Sequence, residues 1–438
     1  CVRGGGGLSP LGVTECGPSL WADIIQSMAA AAAAPARGGA ESTEDVGVVV
    51  VGGGLSGLVT ALHLTDDDPS LTVAVLEARD RLGGRLLSTA HRGGLGVDLG
   101  ASWTWPSDHG LHKLAARFGI GLFPQPAAGA AVAEDFDGVV GSIGQDHSPC
   151  GPSGCRLSGG PAAVVAAIAA TLAERRVAVR LDTEVVRIVQ NLGPADPVRV
   201  YTRSSGNACV FAARAVVVAS PPRLVSDHIV FEPPLPALRA AAMAGSSTWM
   251  ADTGKVVFEY SAPFWRASGL SGTAFSDRGP LQQVWDASTG TDGAAAVRED
   301  SIYALAGFIF GNDATDSSLG PTGHVTAVGD DVAAIVASTP LLAAAQAQLA
   351  RLFGPDAATP SAATAKSWAQ DDLTAAGAAA VAAAAAVAFG AAELREPHHA
   401  VFFAGTETEA EHGHMEGAVV AGARAAEQAA RRAAPDPG

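Results

Sequence analysis

The segment VVVVGGGLSGLVTALHL, residues 48–64, limits the fold more than any other stretch of the chain. Four consecutive valines read as a strand buried on both faces, and Leu58, Ala61 and Leu62 recur at helical spacing just beyond. Between them Gly52, Gly54 and Gly57 fit the pattern G-x-G-x-x-G, in which each glycine has a separate steric task. The first permits a tight turn, the second lets a pyrophosphate approach the backbone, and the third lets helix and strand pack closely. The free N–H groups of the helix then face the phosphates. A second strand, LTVAVLE, ends in Glu77, twenty residues beyond Gly57, where an acid accepts hydrogen bonds from ribose hydroxyls. Strand, turn, helix, strand and acid in this order predict an adenine-dinucleotide site in an α/β domain.

The following residues select the cofactor. LEARDRLGGRLLS places Arg79, Gly83, Gly84 and Arg85 directly after the acid, and GVDLGASWTWP follows at 96–106. Near the C-terminus, VFFAGTETEAEHGHMEGAVVAGARAAEQA reads as a buried strand, a turn at Gly405 and a helix. The backbone N–H groups of 415–417 at the start of that helix are suited to stabilise charge. Together these segments resemble the flavin-containing amine oxidase superfamily, and the resemblance runs from Val46 to about Ala430. It implies a discontinuous Rossmann-like FAD-binding domain and a second, mixed α+β substrate domain. FAD contacts are implied at Gly52, Gly54, Leu55, Ser56, Gly57, Glu77, Ala78, Arg79, Gly84, Arg85, Gly100, Ala101, Ser102, Trp103, Val185, Gly405, Thr406, Glu407 and Met415. Glu407 is expected to accept a hydroxyl on the ribityl or pyrophosphate side.

The resemblance also implies the chemistry: hydride transfer from the carbon beside an amine nitrogen to the flavin, giving an imine and, through oxygen, hydrogen peroxide. Lys255, in DTGKVVFEY, matches the lysine that holds a water near flavin N5, and a lysine in an apolar strand is costly to bury without a reason. Trp368, in AKSWAQDD, resembles the tryptophan packed beside the flavin, with Lys366 in the same segment. His414 stands where many relatives carry the second of two tyrosines that bracket the substrate nitrogen, and the region of the first, DDLTAAGAAAV, has no aromatic residue. A cation there meets at most one ring, and a titratable one. The segment after Trp368 lacks the cysteine that anchors flavin covalently in some relatives, so the FAD is expected to be non-covalent. The connection between GASW and CRLSGG is shorter than in typical relatives.

The remaining expectations concern boundaries and rivals. With 438 residues, 48% hydrophobic, the chain is long enough for two domains. We expect FAD-binding segments at 45–122, 155–230 and 391–433, substrate segments at 123–154 and 231–390, and a disordered or processed leader over 1–44. DVAAIVASTPLLAAAQAQLARLFG is expected to be helical. A formal net charge of −16 without a basic block argues against nucleic acid, and no stretch reads as a transmembrane helix, the alanine-rich run at 375–390 included. The partners are a small-molecule amine and oxygen. An amino-acid oxidase would want an arginine for the substrate carboxylate, for which Arg266 and Arg278 are candidates; a polyamine oxidase would want acids such as Asp277, Asp286 or Glu259. A flavin-binding protein without catalysis is the third alternative. No metal site is expected: Glu409, Glu411, His412 and His414 lack a distant ligand pair. Cys150 and Cys155 read as free thiols in a loop, with pairing as the alternative, and His398 and His399 as exposed residues before the AVFFAG strand.

Overall fold

The computed structural model describes residues 42–89, 96–145, 147–191, 193, 196–204, 209–289, 301–375, 387–410 and 413–434. Residues 1–41, most of the expected leader, lie outside them, as does most of the alanine-rich run. Residues 42–44 depart from the leader reading: they extend the first strand, Ser42–Val51, in register with Cys209, Val210 and Phe211. The ladder continues through them because the partner strand Cys209–Val218 is equally long.

That first strand runs parallel to both neighbours, Cys209–Val218 and Val73–Leu76. The sheet continues through Val198–Ser204, Thr183–Gln190 and Val230–Glu232 on one side and Ala178–Arg180 on the other, and Val401–Phe403 also pairs with Cys209–Val218. The valine run is explained by its two-sided burial. Val48 and Val50 pack with Leu58, Leu62 and Val419 on one face, whereas Val49 and Val51 pack with Val185, Val216 and Phe403 on the other. The helix Leu55–Asp67 follows the glycine turn and packs on the C-terminal helix Met415–Ala433. Gly422 permits that contact, since a Cβ there would lie 2.5 Å from the Ser56 carbonyl oxygen.

A second sheet has the order His324–Val328, Ala362–Ser367, Thr253–Tyr260, Tyr303–Phe310, Gln283–Asp286, Leu270–Ser276, Ala130–Glu134 and Val140–Gln145. All its pairs are antiparallel except Ala130–Glu134 with Leu270–Ser276. Its core joins Val256, Phe258 and Leu305 to Leu342, Leu349 and Phe353 of the helix Pro340–Phe353. The expected helix over this region is two helices, Val332–Ser338 and Pro340–Phe353, with a bend of 104° between the axes. Pro340 has no N–H to continue the ladder and pushes Thr339 into an extended conformation, so the chain turns there. Among the described residues no single helix is long and apolar enough to cross a membrane. The architecture is α/β, a Rossmann-like sheet beside a mixed sheet with its own helices.

Candidate active site

A cavity of about 460 Å³ lies between the two sheets, and the turn at the end of the first strand forms one end of it. Gly52 has φ +103°, a conformation that favours glycine, and a Cβ on it would press 3.0 Å from the Ala219 carbonyl oxygen. Gly57 does not line the cavity; a Cβ there would lie 1.9 Å from the Gly52 carbonyl oxygen, so its absence is what lets helix and turn meet. At Gly54 the nearest heavy atom is Gly84 Cα at 3.9 Å, so a side chain would occupy space that the turn leaves open. The three glycines thus divide their tasks as a dinucleotide cradle requires.

Glu77 is buried beneath that turn, accepting from Gly53 N–H at 2.6 Å and from Arg79 N–H at 2.9 Å. Arg79 reaches the other sheet's loop, donating to Asp371 at 2.6 Å and Thr374 at 2.9 Å. Arg85 pairs with Glu407 at 2.8 Å and also donates to the Trp249 carbonyl. Glu407 is fully buried, lines the cavity and accepts from Trp249 N–H as well, so its carboxylate also fixes Arg85. Ser56 Oγ accepts from Gly405 N–H at 3.0 Å, joining residues 349 positions apart. Leu55, Ala78, Gly84, Gly100, Ala101, Val185, Thr406 and Met415 line the same cavity.

At the other end stands Lys255, on a strand whose every residue is buried. Its Nζ donates to the Gly100 carbonyl at 2.5 Å, Ser102 Oγ at 2.7 Å and the Asp98 carbonyl at 3.3 Å. The rings of Trp285, Phe308 and Trp103 surround it at 5.2, 5.5 and 6.0 Å. Burial lowers its pKa to about 7, while Asp98 raises it and Arg156 lowers it further. As an ammonium it donates all three protons; as an amine it donates two and accepts from the Ser102 hydroxyl. Trp103 is fixed by Gln125 at 2.9 Å, and Trp368 donates to the Leu99 carbonyl at 3.0 Å.

His414 stacks on Trp105, with ring centroids 4.6 Å apart, and meets Trp249 edge-on at 6.3 Å. The cavity's aromatic end therefore has walls that the sequence reading did not assign: Trp105, Trp249 and Phe308. Only Trp105 carried a signal, its place in GASWTWP. Arg266, Arg278, Asp277, Asp286 and Glu259 do not line the cavity. Arg266 instead donates to the fully buried Asp286, which also accepts from the Trp265 indole. His398 is buried, not exposed, because its ring turns inward to the Pro233 carbonyl, 3.2 Å away. Cys150 and Cys155 are free thiols. Glu409 is occupied by Arg424 at 2.8 Å, Glu411 and His412 lie outside the described residues, and no metal-holding group occurs among those described.

Known proteins show the same architecture. The model for flavin containing amine oxidoreductases matches residues 144–430, and that for an NAD(P)-binding Rossmann-like domain matches 50–118. Putrescine oxidase of Kocuria rosea is 28% identical over 351 residues, covering 57% of this chain and 71% of that protein. An L-amino acid dehydrogenase of Synechocystis is 24% identical over 475 residues, covering 86% of this chain and 93% of that one. Putrescine oxidase bound to putrescine superposes with TM-score 0.66 at 21% identity, over 88% of this chain and 99% of that one. Cyclohexylamine oxidase from Brevibacterium oxydans gives 0.65 at 22% identity, over 89% and 99%. The glycine cradle, the acid beneath it and the family match agree on a flavin cofactor, and the chain belongs to the flavin-containing amine oxidoreductase family.

Proposed function

We propose that this oxidoreductase converts apolar monoamines to imines with oxygen as acceptor: R–CH₂–NH₂ and O₂ give R–CH=NH and H₂O₂, and water then releases aldehyde and ammonia. The observation that carries the substrate class is the aromatic end of the cavity. Among the described residues it is lined by Trp103, Trp105, Trp249, Phe308, Trp368 and His414. Of the carboxylates that line the cavity, Glu77 and Glu407 are held by backbone N–H groups and Arg85, Glu184 is paired with Arg203, and Asp372 is exposed. The two guanidiniums that line the cavity, Arg85 and Arg79, are paired with Glu407 and Asp371, so neither stands free for an α-carboxylate.

The residues present suit a flavin dinucleotide. Gly52, Gly54 and the N–H groups of Leu55 and Ser56 would hold its pyrophosphate, Glu77 a ribose hydroxyl, and the amides of 415–417 its pyrimidine end. No cysteine lines the cavity among the described residues, in keeping with non-covalent attachment. When bound, the flavin supplies the two-electron oxidation. The chain's own part is to orient the amine carbon between aromatic walls, exclude water, and take or return a proton at Lys255 Nζ.

Anaerobic visible spectra test this reading. Purified yellow protein is mixed with benzylamine, putrescine or leucine, and bleaching is followed. Bleaching by benzylamine alone supports the proposal; bleaching by putrescine or leucine alone replaces it with a polyamine or amino-acid reaction. Bound flavin that no amine bleaches would support the non-catalytic alternative. Peroxide formation in air then checks the acceptor.

A further inference from the structure

Beneath Lys255 lies a buried ion pair that touches neither the cavity nor solvent. Asp98 and Arg156 are each 2% exposed, with Nη2 and Oδ2 3.4 Å apart. Ser88 Oγ donates to the other Asp98 oxygen at 3.1 Å, Arg156 Nη1 donates to the Ser288 carbonyl at 2.8 Å, and Arg156 Nε has no partner. Asp98 is thus joined to Arg156 through its carboxylate and to Lys255 through its own carbonyl. A buried pair of this kind is costly, and an apolar pair of similar volume would serve the fold as well.

We propose that Asp98 and Arg156 are positioning residues that set how readily Lys255 holds a proton, Asp98 drawing the proton on and Arg156 driving it off. The proposal rests on the amine-oxidase reading of Lys255. The other charges around the lysine are already matched or lie at a distance. Lys366, opposite it on the next strand, is paired with Asp371 at 3.1 Å; His324 stands beyond Lys366. Its other strand neighbour is Phe308, Trp103 and Trp285 close the remaining sides, and His414 lies elsewhere on the cavity wall, against Trp105. Asp98 and Arg156, both buried, therefore act on Lys255 with opposite signs.

The test is a pH titration of the oxidised holoenzyme's visible spectrum without substrate, together with the pH profile of flavin reduction by the amine that bleaches it. The Lys255→Met variant identifies which midpoint belongs to the lysine. Asp98→Asn is expected to move that midpoint down by about one pH unit and Arg156→Gln to move it up by about one. Arg156→Lys, which keeps the charge, is expected to restore the parent value. If either single variant does not fold, the double variant Asp98→Asn, Arg156→Met removes both charges; loss of the stronger Asp98 influence then gives a smaller downward shift. A midpoint that stays put, or shifts of equal sign in the two single variants, overturns the proposal. Absence of reduction by every amine, with the spectral midpoint still shifting as stated, would instead overturn the amine-oxidase reading and leave this one standing.

Discussion

Two lysines face each other across adjacent strands, Lys255 on Thr253–Tyr260 and Lys366 on Ala362–Ser367, and they are almost equally buried, 4% and 5% exposed. Their surroundings differ in kind. Lys366 has a counter-charge, Asp371 at 3.1 Å, which Arg79 also grips, and it donates to the Thr322 carbonyl at 3.0 Å. Lys255 has no carboxylate in contact, only carbonyls, one hydroxyl and three rings. Burial pushes the pKa of both lysines down; beside Lys366 the touching Asp371 carboxylate opposes that and ties two parts of the fold together, whereas Lys255, touched only by neutral groups, keeps a proton that can leave. Lys366 fastens the second sheet to the loop that carries Arg79, and Lys255 faces the cavity.

The largest effect that would break this contrast is kinetic. Lys255→Met is expected to slow flavin reduction by about 10²–10⁴-fold, the range for a positioned proton-transfer group, while the protein remains yellow. Stopped-flow reduction with the bleaching amine measures it, and an unchanged rate removes Lys255 from the reaction. The same variant has a second consequence, in stability. Below pH 7 the folded and unfolded chains both hold the lysine proton, and the fold carries the full cost of a buried cation. Between about pH 7 and the ordinary lysine value near 10.5 the unfolded chain binds more protons, so stability rises with pH; above that window the cost is gone. Lys255→Met should therefore stabilise the protein by a few kcal/mol at pH 6.5 and by much less at pH 10. Thermal unfolding of parent and variant at the two values measures the difference.

For Lys366 the same substitution is expected to act in the opposite direction. Lys366→Met removes a partner from Asp371, leaves Arg79 in place, and should cost about 1–3 kcal/mol at neutral pH. The rate of flavin reduction should stay within a few-fold of the parent, since Lys366 does not line the cavity. A large kinetic loss with intact stability would place Lys366, not Lys255, at the centre of the chemistry.

Sequence spacing carried the cradle and the lysine further than it carried their partners. Gly52, Gly54, Gly57 and Glu77 were legible because they lie within one strand–turn–helix–strand unit, where chain geometry fixes distance. Lys255 was legible because an apolar strand rarely spends a charge. The Trp105–His414 stack was not, because the two rings are separated by most of the chain and meet only when the C-terminal helix docks beside the first. Arg156 escaped notice for a similar reason: 58 residues separate it from Asp98, and nothing local marks it as buried. The Arg85–Glu407 pair was not legible either, since Arg85 is brought to Glu407 across 322 residues. The bend at Pro340 was readable from the residue itself, and the apolar pattern on both sides hid it.

The smallest expected effect sharpens the contrast most. Ser102 Oγ is the one side-chain hydrogen-bond partner of Lys255 among the described residues, and a hydroxyl can accept from the ammonium or donate to the amine. Ser102→Ala leaves the carbonyls of Gly100 and Asp98, which can only accept and so favour the protonated form. The lysine should then release its proton less readily, and flavin reduction at neutral pH should fall by about 3–10-fold, the worth of one hydrogen bond near 1 kcal/mol. Raising the pH should recover most of the loss, because deprotonation then no longer depends on the serine. Lys366 offers the control: its acceptors are a carboxylate and a carbonyl, neither able to donate, so no substitution around it should create a rate that alkaline pH restores. If the Ser102→Ala loss were the same at every pH, the hydroxyl would serve packing alone, and the two lysines would differ less than their surroundings indicate.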